Sequence, residues 1–128
     1  MTDMTTRIPI RTVSESNQRE HWAQRAKRTK RQRQDVFTTL RAHHWPAPPL
    51  PIIIALTRIA PRQLDQDNLA GALKGVQDAV ADWLAGGYGT GQDRQPGLRW
   101  RYAQHRGSPR EYAVEISIIN EQAEGKDF

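Results

Sequence analysis

The stretch LPIIIALTRIA, residues 50–60, decides the fold. Its apolar run from Ile52 to Leu56 shows no alternation with polar residues, which is typical of a strand covered on both faces. The four prolines within residues 45–51 predict an extended connection before this strand, and Pro61 predicts its end. We therefore expect a buried strand at residues 50–60, with the other elements assembled around it.

The segments on either side predict three more strands and two helices. Alternation at residues 7–13 predicts a first strand, in which Pro9 favours an edge position. Helical spacing of apolar residues predicts helices at about 18–42 and 67–84. Alternation from Leu98 and from Tyr112 predicts two further strands joined by a turn. The resulting order, β-α-β-α-β-β, predicts an α+β fold with a single mixed sheet and two helices.

The first predicted helix has an apolar stripe that contains one charged residue. The stripe has spacings of three, four or seven residues and comprises Trp22, Ala26, Thr29, Val36 and Leu40. Arg33 falls on the same side of the helix and interrupts the stripe. We expect the apolar members, including Trp22, to face the core.

Length and composition narrow the class of protein. The 128 residues predict one domain spanning 1–128, with an ordered core at about 8–119 and a polar tail at 120–128. The absence of cysteine excludes disulfide scaffolds, zinc ribbons and thiol catalysis, and it fits a reducing cytoplasm. The longest apolar run is far shorter than the roughly 20 residues of a bilayer span. We therefore expect a cytoplasmic protein without a membrane segment.

Positive charge is concentrated in the first predicted helix. The chain has 19 Lys or Arg and 14 Asp or Glu, and residues 19–41 contain eight of the former and two of the latter. Such a run favours nucleic acid as the partner, because it binds backbone phosphates without reading sequence. The predicted DNA-binding residues are Arg25, Lys27, Arg28, Lys30 and Arg31. The alternative is an ordinary solvated helix surface.

Two aspartates lie where the buried strand gives way to the second predicted helix. Asp65 and Asp67 are separated by one residue, so both side chains face the same way where the backbone is extended. Hard divalent cations such as Mg²⁺ bind one or two carboxylates together with water and substrate phosphate. In the simpler alternative, one aspartate caps the helix and the other is a solvated loop residue.

The second predicted helix adds polar residues on the side of Asp67. At about 100° per residue, Gly71, Lys74, Asp78 and Asp82 fall within about 60° of Asp67, and the apolar residues gather opposite. Lys74 is therefore a candidate cation for a bound phosphate. The alternative is that Lys74 and Asp78 form an i,i+4 ion pair on a solvated surface.

Asp93 is the third candidate carboxylate. It follows the glycine-rich segment 86–91 and precedes the strand that begins near Leu98, so a chain reversal would return it to the start of the second helix. No Gly-Lys-Ser/Thr follows the glycines, so the segment is not a P-loop. We expect it to be a flexible connector or a substrate flap.

Together these residues resemble a known family. The segment Asp65-Gln66-Asp67-Asn68-Leu69, a helix with Lys74 and Asp78-Ala79-Val80, and then Asp93 before a strand are similar to the RusA-type Holliday junction resolvases. The segment 16–22 and the basic helix resemble the start of phage and prophage members. The resemblance covers about residues 8–119.

Two positions depart from the family pattern. Family members commonly have a lysine four residues after the second aspartate, where this chain has Gly71, and Lys74 lies seven residues after Asp67. Both spacings fall on the same helix face, about one turn apart. A basic residue often precedes the first aspartate in the family, and here Leu64 takes that place.

The resemblance implies a homodimer that cuts four-way DNA junctions. The matching residues imply that Asp65, Asp67 and Asp93 bind Mg²⁺, for which Mn²⁺ would substitute, and that Lys74 acts at the phosphate. These four would be the catalytic residues. The resemblance also implies branched DNA as the partner, no organic cofactor, and a bacterial cell in which the gene is of host, phage or prophage origin.

Two other functions fit the same sequence. The first is a branched-DNA-binding protein that keeps the fold and the basic helix but lacks catalysis. It would bind junctions without cutting them at any Mg²⁺ or Mn²⁺ concentration. The second is a small interaction module with an ordinary basic surface, which would bind neither junctions nor metal.

Overall fold

The computed structural model describes residues 4–12 and 22–120. Its elements in chain order are β1 (Met4–Ile8), α1 (Trp22–Ala42), β2 (Ile52–Ala60), α2 (Gln66–Ala72), α3 (Lys74–Ala85), β3 (Leu98–Arg106) and β4 (Ala113–Asn120). The helix start predicted before residue 22 and the polar tail predicted after residue 120 lie outside the described residues. None of the described helices is long and apolar enough to cross a membrane.

The described residues divide into two compact units. The sheet unit comprises residues 4–11, 46–63 and 94–120. The helical unit comprises residue 12 with residues 22–45 and 64–93. All of the candidate catalytic and DNA-binding residues therefore belong to the helical unit.

The sheet unit is a four-stranded mixed sheet in the order β1-β4-β2-β3. β2 pairs parallel with β3 and antiparallel with β4, and β4 pairs antiparallel with β1. The parallel pairing is expected, because α2 and α3 separate β2 from β3 along the chain and supply the long crossover that parallel strands need. The predicted α+β fold with a single mixed sheet is confirmed.

The strand predicted to be buried is one of the two inner strands. In β2, Ile52, Ile54 and Leu56 have no exposed area. β4 is the other inner strand, and its alternation buries Ile116 and Ile118 completely. The two most apolar strands therefore lie at the centre of the sheet, where each pairs with a strand along both of its edges.

The predicted turn between the last two strands does not form a hairpin. β3 is an end strand beside β2, and the backbone N–H of Gly107 donates to the carbonyl of Ala60 at 2.8 Å. The chain therefore crosses the end of β2 before β4 begins. The physical reason is composition, because β3 reads LRWRYAQHR and is mostly exposed, whereas β4 is apolar enough to lie between two strands.

The first strand is Met4–Ile8 rather than residues 7–13. Its last pair joins Ile8 to Val114, and Pro9 follows directly. Pairing ends there because proline has no N–H to donate. The edge position predicted for this strand is correct.

The second predicted helix is interrupted at Leu73 and forms two helices, α2 and α3. At Leu73 φ is −97° and ψ is 2°. Gly71 and Gly75 flank this break, and glycine is the poorest helix former after proline. Gly75 also lies where α3 meets α1, since a Cβ there would be 2.6 Å from the side-chain oxygen of Gln32 and 3.5 Å from a methyl carbon of Thr29. The lack of a side chain at Gly75 therefore leaves room for the side chain of Gln32 between the two helices.

The apolar stripe of α1 is buried only in its C-terminal half. Val36 and Leu40 have no exposed area, whereas Trp22 is 74% exposed. The prediction that Trp22 faces the core is therefore wrong. At that end of α1 the stripe lines an open groove that also includes charged residues, among them Lys30 and Asp78.

Candidate functional site

Lys74 is the first residue of α3 and lies between two carboxylates. Its Nζ is 2.6 Å from Oδ2 of Asp93 and 3.1 Å from Oδ1 of Asp78. The side-chain amide of Gln77 donates to the same oxygen of Asp93 at 2.8 Å. The i,i+4 ion pair with Asp78 is present, and the chain reversal after α3 adds Asp93 as a second partner. We call Lys74, Gln77, Asp78 and Asp93 the Lys74 cluster.

The charges in the Lys74 cluster stabilise one another. The hydrogen bond to Asp93 raises the pKa of Lys74 above its usual value, with Asp78 adding to the effect. The hydrogen bond from Lys74 in turn lowers the pKa of Asp93. At neutral pH Lys74 is therefore an ammonium group, which suits it to bind an anion rather than to accept a proton. Its side chain is 55% exposed, so a bound phosphate has access to it.

Asp65 and Asp67 lie at the start of α2, and both are exposed. Asp65 occupies the N-cap position, but its side chain makes no capping hydrogen bond. Its backbone carbonyl accepts hydrogen bonds from the N–H groups of Asn68 and Leu69. The simple capping interpretation therefore does not account for the carboxylate of Asp65, and Asp67 lies in the first turn.

The predicted metal site is not assembled as one group of ligands. Within residues 4–12 and 22–120, no three His, Asp or Glu side chains form a group that could hold a metal ion. The carboxylates of Asp65, Asp67 and Asp93 have the right chemistry for Mg²⁺. However, Asp93 is bound by Lys74 and Gln77 in this arrangement. The fit to a three-aspartate metal site is therefore incomplete.

Sequence reasoning missed a bidentate ion pair of the helical unit. Arg33 of α1 makes two hydrogen bonds to Asp82 of α3, from Nε at 2.6 Å and from Nη2 at 2.7 Å. Asp82 has no exposed area. Burial by itself would raise the pKa of Asp82, but the hydrogen bonds from Arg33 and from the backbone of Gly89 and Gly91 outweigh it, and the pKa is lowered.

A signal for this pair was present in the sequence. Arg33 was the one charged residue on the apolar stripe of α1, and Asp82 extended the polar side of the second predicted helix beyond Asp78. A buried charge requires a partner of opposite sign. The unexpected positions of Arg33 and Asp82 are therefore explained by their pairing. The two residues are 49 positions apart, so helix periodicity alone does not predict the pair.

The glycine-rich segment contacts α3 at its two ends, Gly86 and Gly91. Gly86 ends α3 in the left-handed conformation at φ 92°, which favours glycine. The N–H of Gly91 donates to Oδ1 of Asp82 at 2.9 Å. A Cβ at Gly91 would collide with the backbone of Ala81 and Asp82, so this close approach requires glycine. The segment thereby fixes the chain two residues before Asp93.

The predicted DNA-binding residues all lie on α1, but they occupy two sides of it. At about 100° per residue, Lys27, Arg28 and Arg31 fall on one side. Arg25 and Lys30 instead line the open groove. All five retain at least partial exposure. The basic helix therefore offers cations both along its outer surface and within a concave site.

Comparisons with known proteins do not assign a family. The sequence matches no known protein family, and no curated protein matches it.

Proposed function

We propose that the protein is a Mg²⁺-dependent endonuclease that cuts branched DNA, with four-way junctions as its main substrate. The observation that supports this most directly is the Lys74 cluster. An exposed ammonium group is held beside Asp93 and lies seven residues after the exposed Asp67. Carboxylates together with an accessible cation are what phosphodiester hydrolysis requires for a metal and for the charge on the phosphoryl group.

In this proposal each group of residues has a distinct role. Mg²⁺ bound by Asp65, Asp67 and Asp93 would activate water and stabilise charge at the phosphate. Lys74 would bind the phosphoryl oxygens electrostatically, because it is protonated at neutral pH. Lys27, Arg28 and Arg31, on the outer side of α1, would hold backbone phosphates. Assembly of the metal site requires Asp93 to exchange part of its bonding from Lys74 and Gln77 to the metal.

The proposed enzyme is a homodimer in the cytoplasm of a bacterial cell, encoded by the host or by a phage. Cutting a four-way junction symmetrically requires two active sites related by a two-fold axis. Sedimentation at several protein concentrations tests the dimer independently of activity. A monomer at every concentration, including with junction DNA bound, would contradict this part of the proposal.

The test of activity is cleavage of an end-labelled four-way junction and of a linear duplex with the same sequences. Wild type, Asp67→Asn and Asp35→Asn are each incubated with and without Mg²⁺. Asp35 is an exposed aspartate on α1, so it controls for the loss of a surface charge. We expect symmetric nicks in the junction with wild type and Asp35→Asn, only when Mg²⁺ is present, and none with Asp67→Asn.

A branched-DNA-binding protein without catalysis is the second candidate, and one observation favours it. Asp93 is bound by Lys74 and Gln77 instead of forming a ligand group with the other aspartates. In the same experiment this candidate predicts tight junction binding by all three proteins and no cleavage with Mg²⁺ or Mn²⁺. Equal affinity for junction and duplex, without cleavage, would contradict both candidates.

The role of the basic helix has its own test. Lys27 is an exposed cation on the outer side of α1. If it contacts a phosphate, Lys27→Ala should weaken binding uniformly across DNA sequences. It should also reduce the slope of log K against log salt by about 0.9 for duplex DNA. An unchanged slope would show that Lys27 lies on a merely solvated surface.

A further inference from the structure

The helical unit contains an open groove of about 430 Å³ beside the N-terminal half of α1. Its aromatic lining consists of Trp22 and Tyr88, and its charged lining includes Arg25, Lys30 and Asp78. The volume falls within the range of small-ligand sites. The groove therefore combines aromatic surface with cations in one concave site, a combination that neither a core nor a plain basic surface requires.

The aromatic residues of the groove are unusually exposed. Trp22 is 74% exposed and Tyr88 is 40% exposed, and these are two of the four large apolar side chains exposed among the described residues. Tyr88 is held in place, since its ring meets that of Phe37 edge to face at 5.8 Å and has the guanidinium of Arg33 over it at 5.4 Å. The Tyr88 side chain of the groove is thus held in place, and the indole of Trp22 is exposed.

The charges of the groove favour an anion at the α1 side. Arg33 is paired with Asp82, and Asp78 is paired with Lys74 at 3.1 Å, so the nearby acidic groups are matched by cations of their own. Arg25 and Lys30 line the groove on the α1 side and place two positive charges there. Asp78 belongs both to the groove and to the Lys74 cluster, so the two sites adjoin.

We propose that this groove binds one unpaired nucleotide of branched DNA, with its base stacked on Trp22 and its phosphate held by Arg25 and Lys30. Every base has a π face, so stacking on an exposed indole tolerates any sequence. A paired base within a duplex cannot present that face. The inference rests on DNA as the substrate of the proposed function and adds a preference for an unpaired nucleotide over a paired one.

The experiment measures binding of a fluorescein-labelled oligothymidylate in EDTA, where no cleavage occurs. We expect Trp22→Ala to weaken binding about tenfold or more, within the range measured for loss of base–aromatic stacking. Trp22→Phe should restore most of the affinity. Tyr102→Ala is the matched control, because Tyr102 is an exposed aromatic residue on β3, and its removal should change affinity by less than about twofold. Circular dichroism checks that each variant is folded.

An abasic position in the oligonucleotide provides a second readout that a structural effect of Trp22→Ala would not mimic. If a base stacks on the indole, the best-placed abasic substitution should weaken wild type by nearly the same factor as Trp22→Ala. The same abasic substitution should hardly affect the Trp22→Ala variant. Additive losses would overturn the proposal, as would an unchanged affinity of Trp22→Ala or an equal loss in Tyr102→Ala.

Two further outcomes separate this inference from the proposed function. If wild type cuts junctions but Trp22→Ala binds the oligonucleotide normally, the inference fails and the nuclease stands. If wild type never cuts but binding depends on Trp22 and on the base, the nuclease fails and the nucleotide site stands. If Trp22→Ala disrupts a dimer and leaves oligonucleotide binding unchanged, the groove is covered by a second copy of the chain and the inference is wrong.

Discussion

Two ion pairs of equal length on α3 have opposite surroundings. Arg33–Asp82 and Lys74–Asp93 both have a shortest N···O distance of 2.6 Å. The side chain of Asp82 is fully buried, whereas that of Lys74 is 55% exposed. Distance alone therefore does not reveal what a pair contributes. Solvent screens the exposed pair, and the buried pair loses a large interaction if one partner is removed.

The chemistry of the two cations reinforces this difference. Arg33 binds Asp82 through two nitrogens in a planar, bidentate contact, which fixes the orientation of both side chains. Lys74 binds as a point charge and divides its contacts between Asp78 and Asp93. The first pair therefore joins α1 to α3 in one geometry. The second is suited to exchange a carboxylate for a phosphate.

The largest expected effect comes from breaking the buried pair. Asp82→Ala leaves Arg33 without its carboxylate and removes the acceptor of the Gly91 N–H. Breaking a buried pair typically costs 3–5 kcal/mol, and because Arg33 is 27% exposed we expect the lower end, about 3 kcal/mol of unfolding free energy. Urea unfolding measures this. The exposed control Asp35→Asn should change stability by less than about 0.5 kcal/mol, and equal effects of the two variants would refute the distinction.

The next effect tests whether the glycine segment depends on its contact with Asp82. In Gly91→Ala, the new Cβ would collide with the backbone of Ala81 and Asp82, so the segment must withdraw from α3. We expect a loss of about 2 kcal/mol, within the range for overpacked sites. Gly71→Ala is the matched control, since a Cβ there meets nothing within 4 Å. It should stabilise α2 by about 0.5–1 kcal/mol, and a loss in the control would contradict this account.

The elements that composition determines locally were predictable from the sequence. The apolar run from Ile52 to Leu56 predicted a buried strand, because a strand without polar alternation needs cover on both faces. The alternation of β4 predicted its buried face in the same way. The partner of each strand was not predictable from these patterns. Alternation in β3 and β4 is compatible with a hairpin. The hairpin is excluded only by the order of the whole sheet, in which β2 and β4 take the inner positions.

The candidate site was predictable as far as a single helix extends. The i,i+4 relation of Lys74 and Asp78 required only helix geometry, and the pair is present. The same projection placed Asp82 on an open polar side, which is wrong because α1 packs there and supplies Arg33. The break at Leu73 also places Asp67 and Lys74 in different helices, so a single helical projection no longer puts them on one face. Contacts across 49 residues depend on packing that the projection of one helix does not include.

Protonation of Asp82 at low pH should lower the unfolding free energy, but by less than Asp82→Ala does. Because the pKa of Asp82 is lowered in the folded protein, its contribution is present above the unfolded carboxyl pKa of about 3.9 and is lost as pH falls through the lower folded value. We expect unfolding free energy in wild type to decline below about pH 4. The loss should be smaller than that of Asp82→Ala, because a protonated carboxyl group still accepts hydrogen bonds.

Asp82→Asn isolates this contribution, because asparagine does not titrate. Its unfolding free energy should decline less steeply than that of wild type over the same acidic range. Asp93 also has a lowered pKa, chiefly through Lys74, and it remains in both proteins, so the difference between the two curves reports Asp82. Identical slopes would show that the charge of Asp82 does not contribute to acid sensitivity.

Lys74→Ala should have the smallest effect on stability and the largest effect on cleavage. Lys74→Ala removes an exposed cation from two screened contacts, so we expect a change of less than about 1 kcal/mol in unfolding free energy. Cleavage of the four-way junction should nevertheless be lost, because the phosphoryl charge loses its ammonium partner. Since the pKa of Lys74 is raised, wild-type cleavage should show no loss from its deprotonation below about pH 10. Normal cleavage by Lys74→Ala would show that the exposed pair has only a structural role, as the buried pair has. Unfolding of Lys74→Ala would show that the two pairs do not differ in their contribution to stability.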